Sequence, residues 1–191
     1  MLGAPDRRPA GIRPRMKKRT IANILVRQRP GRPTQGWLTA GAFTLPVALG
    51  RGGIRANKVE GDGATPRGTF RLVRLWWRAD RYPRPVTALP VRRIRPDDGW
   101  CEDPSDRRYN WPVKVPGGSM ADRLARADHL YDFIIELDHN TRPRVAGRGS
   151  AVFVHAARAG LAPTAGCVAL PLKDLRRLLA QLGPRTRLTS K

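Results

Sequence analysis

His155 and Cys167, twelve positions apart, are the two residues of this 191-residue chain best suited to do chemistry. A free thiol is only a few per cent ionised at neutral pH, its reference pKa being about 8.5, so a useful thiol nucleophile needs a neighbouring base or positive charge. An imidazole supplies the base. Twelve positions are too many for one helix face and suit a strand, a loop and a return. Gly160, Pro163 and Gly166 punctuate the stretch between them, and Pro163 biases Ala162 toward an extended backbone. In such an arrangement His155 accepts the Cys167 proton or holds it in a thiolate–imidazolium pair, and the sulfur attacks a carbonyl to give a thioester. Backbone N–H groups of Gly166 and Cys167 would stabilise the oxyanion, a donor of that kind being worth about 3 kcal/mol in the transition state. Gly166 suits its place because a side chain there would obstruct substrate or force an unfavourable backbone angle. Thr164 is placed to orient the loop or the histidine. No carboxylate in the stretch offers itself as a third member, so a backbone carbonyl is expected to hold the other His155 nitrogen.

The elements that must position this pair read as mainly β with a few helices. Ile21 to Arg27, Trp37 to Leu45, Thr69 to Trp77, Tyr131 to Leu137, Ala151 to His155 and Arg185 to Thr189 carry the apolar, aromatic or β-branched content of strands. Ser119-Met120-Ala121-Asp122 is a capping-box-like start for a helix reaching about Asp128. Pro171 opens a second helix, in which Leu172, Leu175, Leu179 and Leu182 form one apolar stripe before Gly183 and Pro184 stop it. That stripe reads as core. Residues 1–19, rich in Arg, Pro and Gly, read as a basic disordered tail, leaving 20–191 as the folded domain.

Residues 79–118 are the least regular part, with seven prolines from Pro83 to Pro116. A long irregular stretch in a domain of this size is usually functional or mobile. It reads as an insertion or lid over the Cys167 cleft, with Asp103, Tyr109 or Asn110 placed to contact a peptide; Arg158 is a further candidate for substrate binding. A flexible surface excursion is the alternative. Cys101, in the same stretch, is the only possible disulfide partner for Cys167, and a bridge between them would silence the nucleophile. His129, His139 and Cys101 lack the close spacing of metal ligands.

Thr164-Ala165-Gly166-Cys167, following His155, resembles the Ser/Thr-x-Gly-Cys signature of the L,D-transpeptidase (YkuD-type) catalytic domain family. Gly63-Ala64-Thr65-Pro66-Arg67-Gly68-Thr69-Phe70 is similar to that family's Thr-Pro-x-Gly-x-Phe segment, and the resemblance runs from about Ile21 to Leu188. Many members carry a histidine two places before the cysteine and an arginine two places after it, where this chain has Ala165 and Ala169. The Pro163-Thr164-Ala165-Gly166-Cys167-Val168-Ala169-Leu170 version resembles a branch in which hydrolysis of envelope peptide bonds is also known. The resemblance implies a β-sandwich-like catalytic domain and a peptidoglycan stem tetrapeptide cleaved between an L-centre, such as meso-diaminopimelate, and a terminal D-alanine. The acyl group would pass to another stem peptide, a protein amine or water. It further implies acylation of Cys167 by carbapenems, no metal or organic cofactor, and a place in the cell envelope or periplasm.

Composition sets the wider bounds. There are 37 Lys+Arg against 15 Asp+Glu, a net charge of +22, and with only six lysines the remaining 31 are arginines. Such a surface attracts polyanions through a salt-sensitive field: nucleic acid, an anionic wall polymer or a membrane surface. Nothing in the chain matches a nucleic-acid-binding signature. Trp76 and Trp77 sit among arginines, as base-stacking aromatics can, and equally form part of an ordinary strand with one buried face. A non-catalytic basic protein binding wall or nucleic acid is therefore the competing class. Residues 1–33 show no apolar core of a signal peptide, and the run from Trp37 to Leu49 is too short and too broken by Gly41 and Pro46 to span a membrane. A signal already removed, a start at Met16-Lys17-Lys18-Arg19, or unconventional export would each reconcile this with work on the wall.

Overall fold

The computed structural model describes residues 20–115 and 122–191. The expected tail at 1–19 and the start of the helix expected at Ser119 lie outside them. The strands are β1 (Asn23–Arg29), β2 (Arg32–Ala40), β3 (Phe43–Ala48), β4 (Ile54–Arg55), β5 (Thr65–Pro66), β6 (Gly68–Trp77) and β7 (Val91–Arg93). They continue with β8 (Asp98–Trp100), β9 (Pro112–Lys114), β10 (Asp122–Arg123), β11 (Phe133–Leu137), β12 (Phe153–Ala156), β13 (Val168–Leu170) and β14 (Arg187–Ser190). The α-helix among the described residues is α1 (Leu172–Leu179). The mainly β reading holds.

Nine strands form one sheet in the order β11-β12-β13-β3-β2-β1-β14-β6-β7, and β11 also pairs with β6. The strands from β11 round to β6 therefore close into a hydrogen-bonded ring, which removes two exposed edges. The sequence 37–45, expected as one strand, is a hairpin: Gly41 takes φ +59 and turns the chain between β2 and β3. Pro171 flanks α1 as expected, and Leu175, Leu178 and Leu179 are buried. Leu172 is only partly buried and Leu182 packs just beyond the helix end.

The helix expected to reach Asp128 does not form in its described part. Asp122–Arg123 is instead a strand against β8. Tertiary contacts outweigh the local capping signal: Tyr131 Oη donates to Asp122 Oδ2 at 2.9 Å, and Arg126 forms ion pairs with both Asp122 and Asp128.

The period-two alternation of the strands serves two cores. Leu75, Trp77, Phe133, Ile135, Val154, Val168 and Leu170 belong to the main one, with α1. Trp76, Ile134, Phe153 and Cys167 face the opposite way, into a second cluster with Ile94, Trp100, Leu124, Leu130 and Tyr131. The irregular stretch supplies the cover. Its strands β8 and β9 join β10 in a separate three-stranded sheet. Trp100 stands edge-on to Phe153 with ring centroids 4.9 Å apart, a burial that stabilises by about 3 kcal/mol. Trp76 and Trp77, considered above for base stacking, are both buried.

Candidate active site

Strand register brings the histidine and the cysteine together. β12 and β13 are parallel neighbours, with Val154 opposite Val168 and His155 opposite Ala169. Cys167 therefore falls opposite Phe153, and since side chains alternate, Cys167 and His155 lie on the same face, two positions apart along it. Both line one cavity of about 370 Å³.

His155 Nδ1 donates to the carbonyl of Ala156 at 2.8 Å, so Nε2 carries the lone pair. The ring is held further by Tyr131, edge-on at 5.3 Å. Cys167 Sγ donates to the carbonyl of Ala151 at 3.2 Å and accepts from the Phe153 N–H at 3.4 Å. Burial lowers the His155 imidazole to about 4 and pushes the Cys167 thiol up to about 12. Both shifts favour the neutral forms. The resting pair is thus thiol and imidazole.

The loop before Cys167 is tied at both ends. Thr164 Oγ1 accepts from the Gly166 N–H at 3.1 Å and donates to the Cys167 carbonyl at 2.7 Å. The Gly166 N–H, expected to face an oxyanion, is thereby turned into its own loop. Among the described residues the Cys167 N–H has no internal acceptor. Gly166 has φ +142, and a Cβ there would lie 2.8 Å from the Ala64 carbonyl oxygen, so only glycine fits. Ala64 belongs to the second motif, which buttresses the first: Thr65 Oγ1 accepts from the Gly50 N–H at 2.9 Å, and Gly50 bridges to Thr164.

The L,D-transpeptidase catalytic domain family (YkuD) matches residues 33–189. The chain belongs to this family. The search of curated proteins gave no match. The two motifs read as L,D-transpeptidase signatures thus meet in space, one supporting the other. Of the family positions that differ here, Ala169 is buried and pairs in the sheet with His155 on one side and Ala48 on the other. Cations reach the cavity from other elements: Arg51, Lys58, Arg126 and Arg158 all line it.

The remaining expected residues divide. Arg158 lies in the cavity wall. The irregular stretch reaches the cavity through Glu102, whereas Asp103 turns away to accept from Ser105 N–H and Oγ. Tyr109 and Asn110 are buried behind the wall. The Tyr109 hydroxyl donates to Glu60, which also accepts from Ser150 Oγ at 2.8 Å. Asn110 Oδ1 accepts from the Trp100 indole at 3.0 Å and from the Ala151 N–H at 3.1 Å, fixing the residue whose carbonyl holds Sγ. Cys101 and Cys167 are both free thiols. His129 and His139 have internal partners, Asp132 and the Arg148 carbonyl.

Sequence reasoning passed over Lys58, Glu60, Glu102, Asp122, Arg126 and Tyr131, all of which line the cavity. None stands in a motif, and Asp122 carried a misleading helix signal. The Glu102 carboxyl is raised, first by burial and then by Asp122 and Glu60, and by less than full burial would raise it, because the residue is exposed.

Proposed function

We propose that this chain is a cysteine-dependent L,D-transpeptidase acting on peptidoglycan stem peptides. Cys167 Sγ attacks the carbonyl joining an L-centre such as meso-diaminopimelate to a terminal D-alanine. His155 Nε2 takes the thiol proton and returns it to the leaving amine as the C–N bond breaks, leaving a thioester on Cys167. An acceptor amine then attacks the thioester, the C–S bond breaks, and the proton that the amine loses on forming the new amide passes through His155 Nε2 to the departing sulfur.

The observation that carries this reading is His155 and Cys167 on one face of adjacent strands, with Nδ1 anchored to Ala156 and Nε2 left to act as a base. Glu102 lines the same cavity, and its carboxylate, raised toward neutrality, suits proton removal from an acceptor amine. The acceptor is a second stem peptide or a protein amine. Such work belongs in the cell envelope. No helix among the described residues is long and apolar enough to cross a membrane.

The test is mass spectrometry of tetrapeptide muropeptides incubated with the wild type, Cys167→Ala and His155→Ala. Cys167-dependent dimers joined through two diaminopimelate residues are the expected product. Shortened monomers alone would make the protein a carboxypeptidase-type hydrolase. Activity surviving both substitutions would remove the thiol mechanism, and salt-dependent wall binding without turnover would leave a non-catalytic module.

A further inference from the structure

One cation of the cavity is held in a way that a solvated surface charge is not. The Lys58 side chain is only 5% exposed, yet it lines the cavity that contains Cys167. Its stem runs between two glycines. A Cβ on Gly149 would lie 2.8 Å from Lys58 Cγ, and one on Gly166 would lie 3.7 Å from Lys58 Cε. Gly149 has φ +92, so side-chain-bearing residues are disfavoured there both by backbone angle and by space.

An ammonium has three N–H donors. One goes to Asp62 Oδ1 and one to the Val59 carbonyl at 2.9 Å. Among the described residues nothing accepts the third. Asp62 is itself fixed, accepting from the Ala64 N–H at 2.8 Å and the Val59 N–H at 3.0 Å, which ties the charge to the segment buttressing Gly166. The Lys58 charge also acts on the Cys167 thiol, opposing the upward push of burial.

An acyl oxygen on Cys167 needs donors as it becomes an oxyanion, and the Gly166 N–H is committed to Thr164. We propose that the third N–H of Lys58 donates to the oxyanion formed on Cys167, standing beside the Cys167 N–H in the place that the Gly166 N–H does not fill. This role rests on the acyl-transfer reading above. A preorganised donor held by Asp62 needs no reorganisation when charge develops, which is the condition under which such donors are most effective. It also gives the cavity a fixed cation although Ala169 stands where many relatives have arginine.

Two electrophiles separate this role from the others. A carbapenem acylates sulfur through a tetrahedral oxyanion, whereas iodoacetamide alkylates it at a saturated carbon with none. Rates of both are followed by intact mass on the full chain at pH 7, for wild type, Lys58→Met and Cys167→Ala. Lys58→Met is expected to slow acylation by about 10²-fold, the loss typical of one oxyanion donor, while alkylation changes by no more than about threefold. The double variant Lys58→Met with Asp62→Asn, which leaves no unpaired buried carboxylate, is expected to show the same split and serves if the single variant does not fold. Unchanged acylation would reduce Lys58 to a structural ion pair. Equal loss of acylation and alkylation would assign its effect to the thiol or the fold, and would overturn the proposal. Alkylation of wild-type Cys167 without any carbapenem adduct would overturn the acyl-transfer reading, and the oxyanion role with it.

Discussion

The Cys167 thiol donates to the carbonyl of Ala151 at 3.2 Å, and among the described residues no hydrogen bond joins it to His155. A thiol satisfied by a carbonyl is a thiol with its proton on. With burial raising Cys167 to about 12 and lowering His155 to about 4, the ion pair is the disfavoured form at rest. In the proposed mechanism, substrate draws the sulfur from Ala151 toward its own carbonyl as His155 takes the proton.

The rate of iodoacetamide alkylation at Cys167 should accordingly rise about tenfold per pH unit from pH 7 through pH 9, without levelling off. A plateau below pH 8 would reveal a thiolate–imidazolium pair and overturn the neutral resting state. Intact mass against time at each pH gives the rates, with Cys167→Ala correcting for Cys101.

Stability should carry the mark of His155. Its folded pKa of about 4 lies below the unfolded value of about 6.5, so between these pH values the unfolded chain binds a proton that the folded chain refuses. Stability is therefore lost as pH falls through this window. The loss from this group between pH 7 and pH 5 is about 2 kcal/mol. Urea unfolding at the two pH values should show a smaller loss in His155→Asn than in wild type; equal losses would mean that the imidazole is not desolvated.

Asn110 should matter to activity without touching substrate. It accepts from the Trp100 indole and the Ala151 N–H, and its amide donates to the carbonyls of His139 and Asn140 at 3.1 and 2.9 Å. Asn110→Ala would strand buried partners and is expected to destabilise by about 2 kcal/mol or more in urea unfolding, with slower Cys167 acylation. A loss under about 0.5 kcal/mol would show that water replaces the side chain without penalty.

Glu102 should divide transfer from hydrolysis. With burial, Asp122 and Glu60 raising its pKa, the carboxylate gains proton-accepting form as pH rises toward neutrality, so use of an amine acceptor should rise with it. Glu102→Gln should lower the ratio of cross-linked to hydrolysed product while leaving carbapenem acylation intact. An unchanged ratio would remove Glu102 from acceptor handling.

The helix that follows Pro171 was legible because Leu175 and Leu179 follow helical spacing and the α1 stripe finds its core locally. The stretch 122–128 was not, because its aspartates are claimed by Arg126 and Tyr131 instead of by a helix N-terminus. Asp103 and Glu102 illustrate the same limit within one dipeptide. Neighbours in sequence, they point to different surroundings: Glu102 lines the cavity, whereas Asp103 is held by Ser105.

What the amino-acid sequence determined by itself is local: alternating strands, a glycine at a backbone angle few other residues accept, and a cysteine and histidine at a spacing that allows them to meet. Strand alternation and turn chemistry act over a few residues, so they can be read along the chain. The protonation of that pair, the buried ammonium of Lys58 and the carboxylate wall were decided by tertiary structure. Desolvation and charge proximity depend on elements distant in the chain, such as Tyr131 against His155 and the 98–114 region over Phe153, and no local pattern records them.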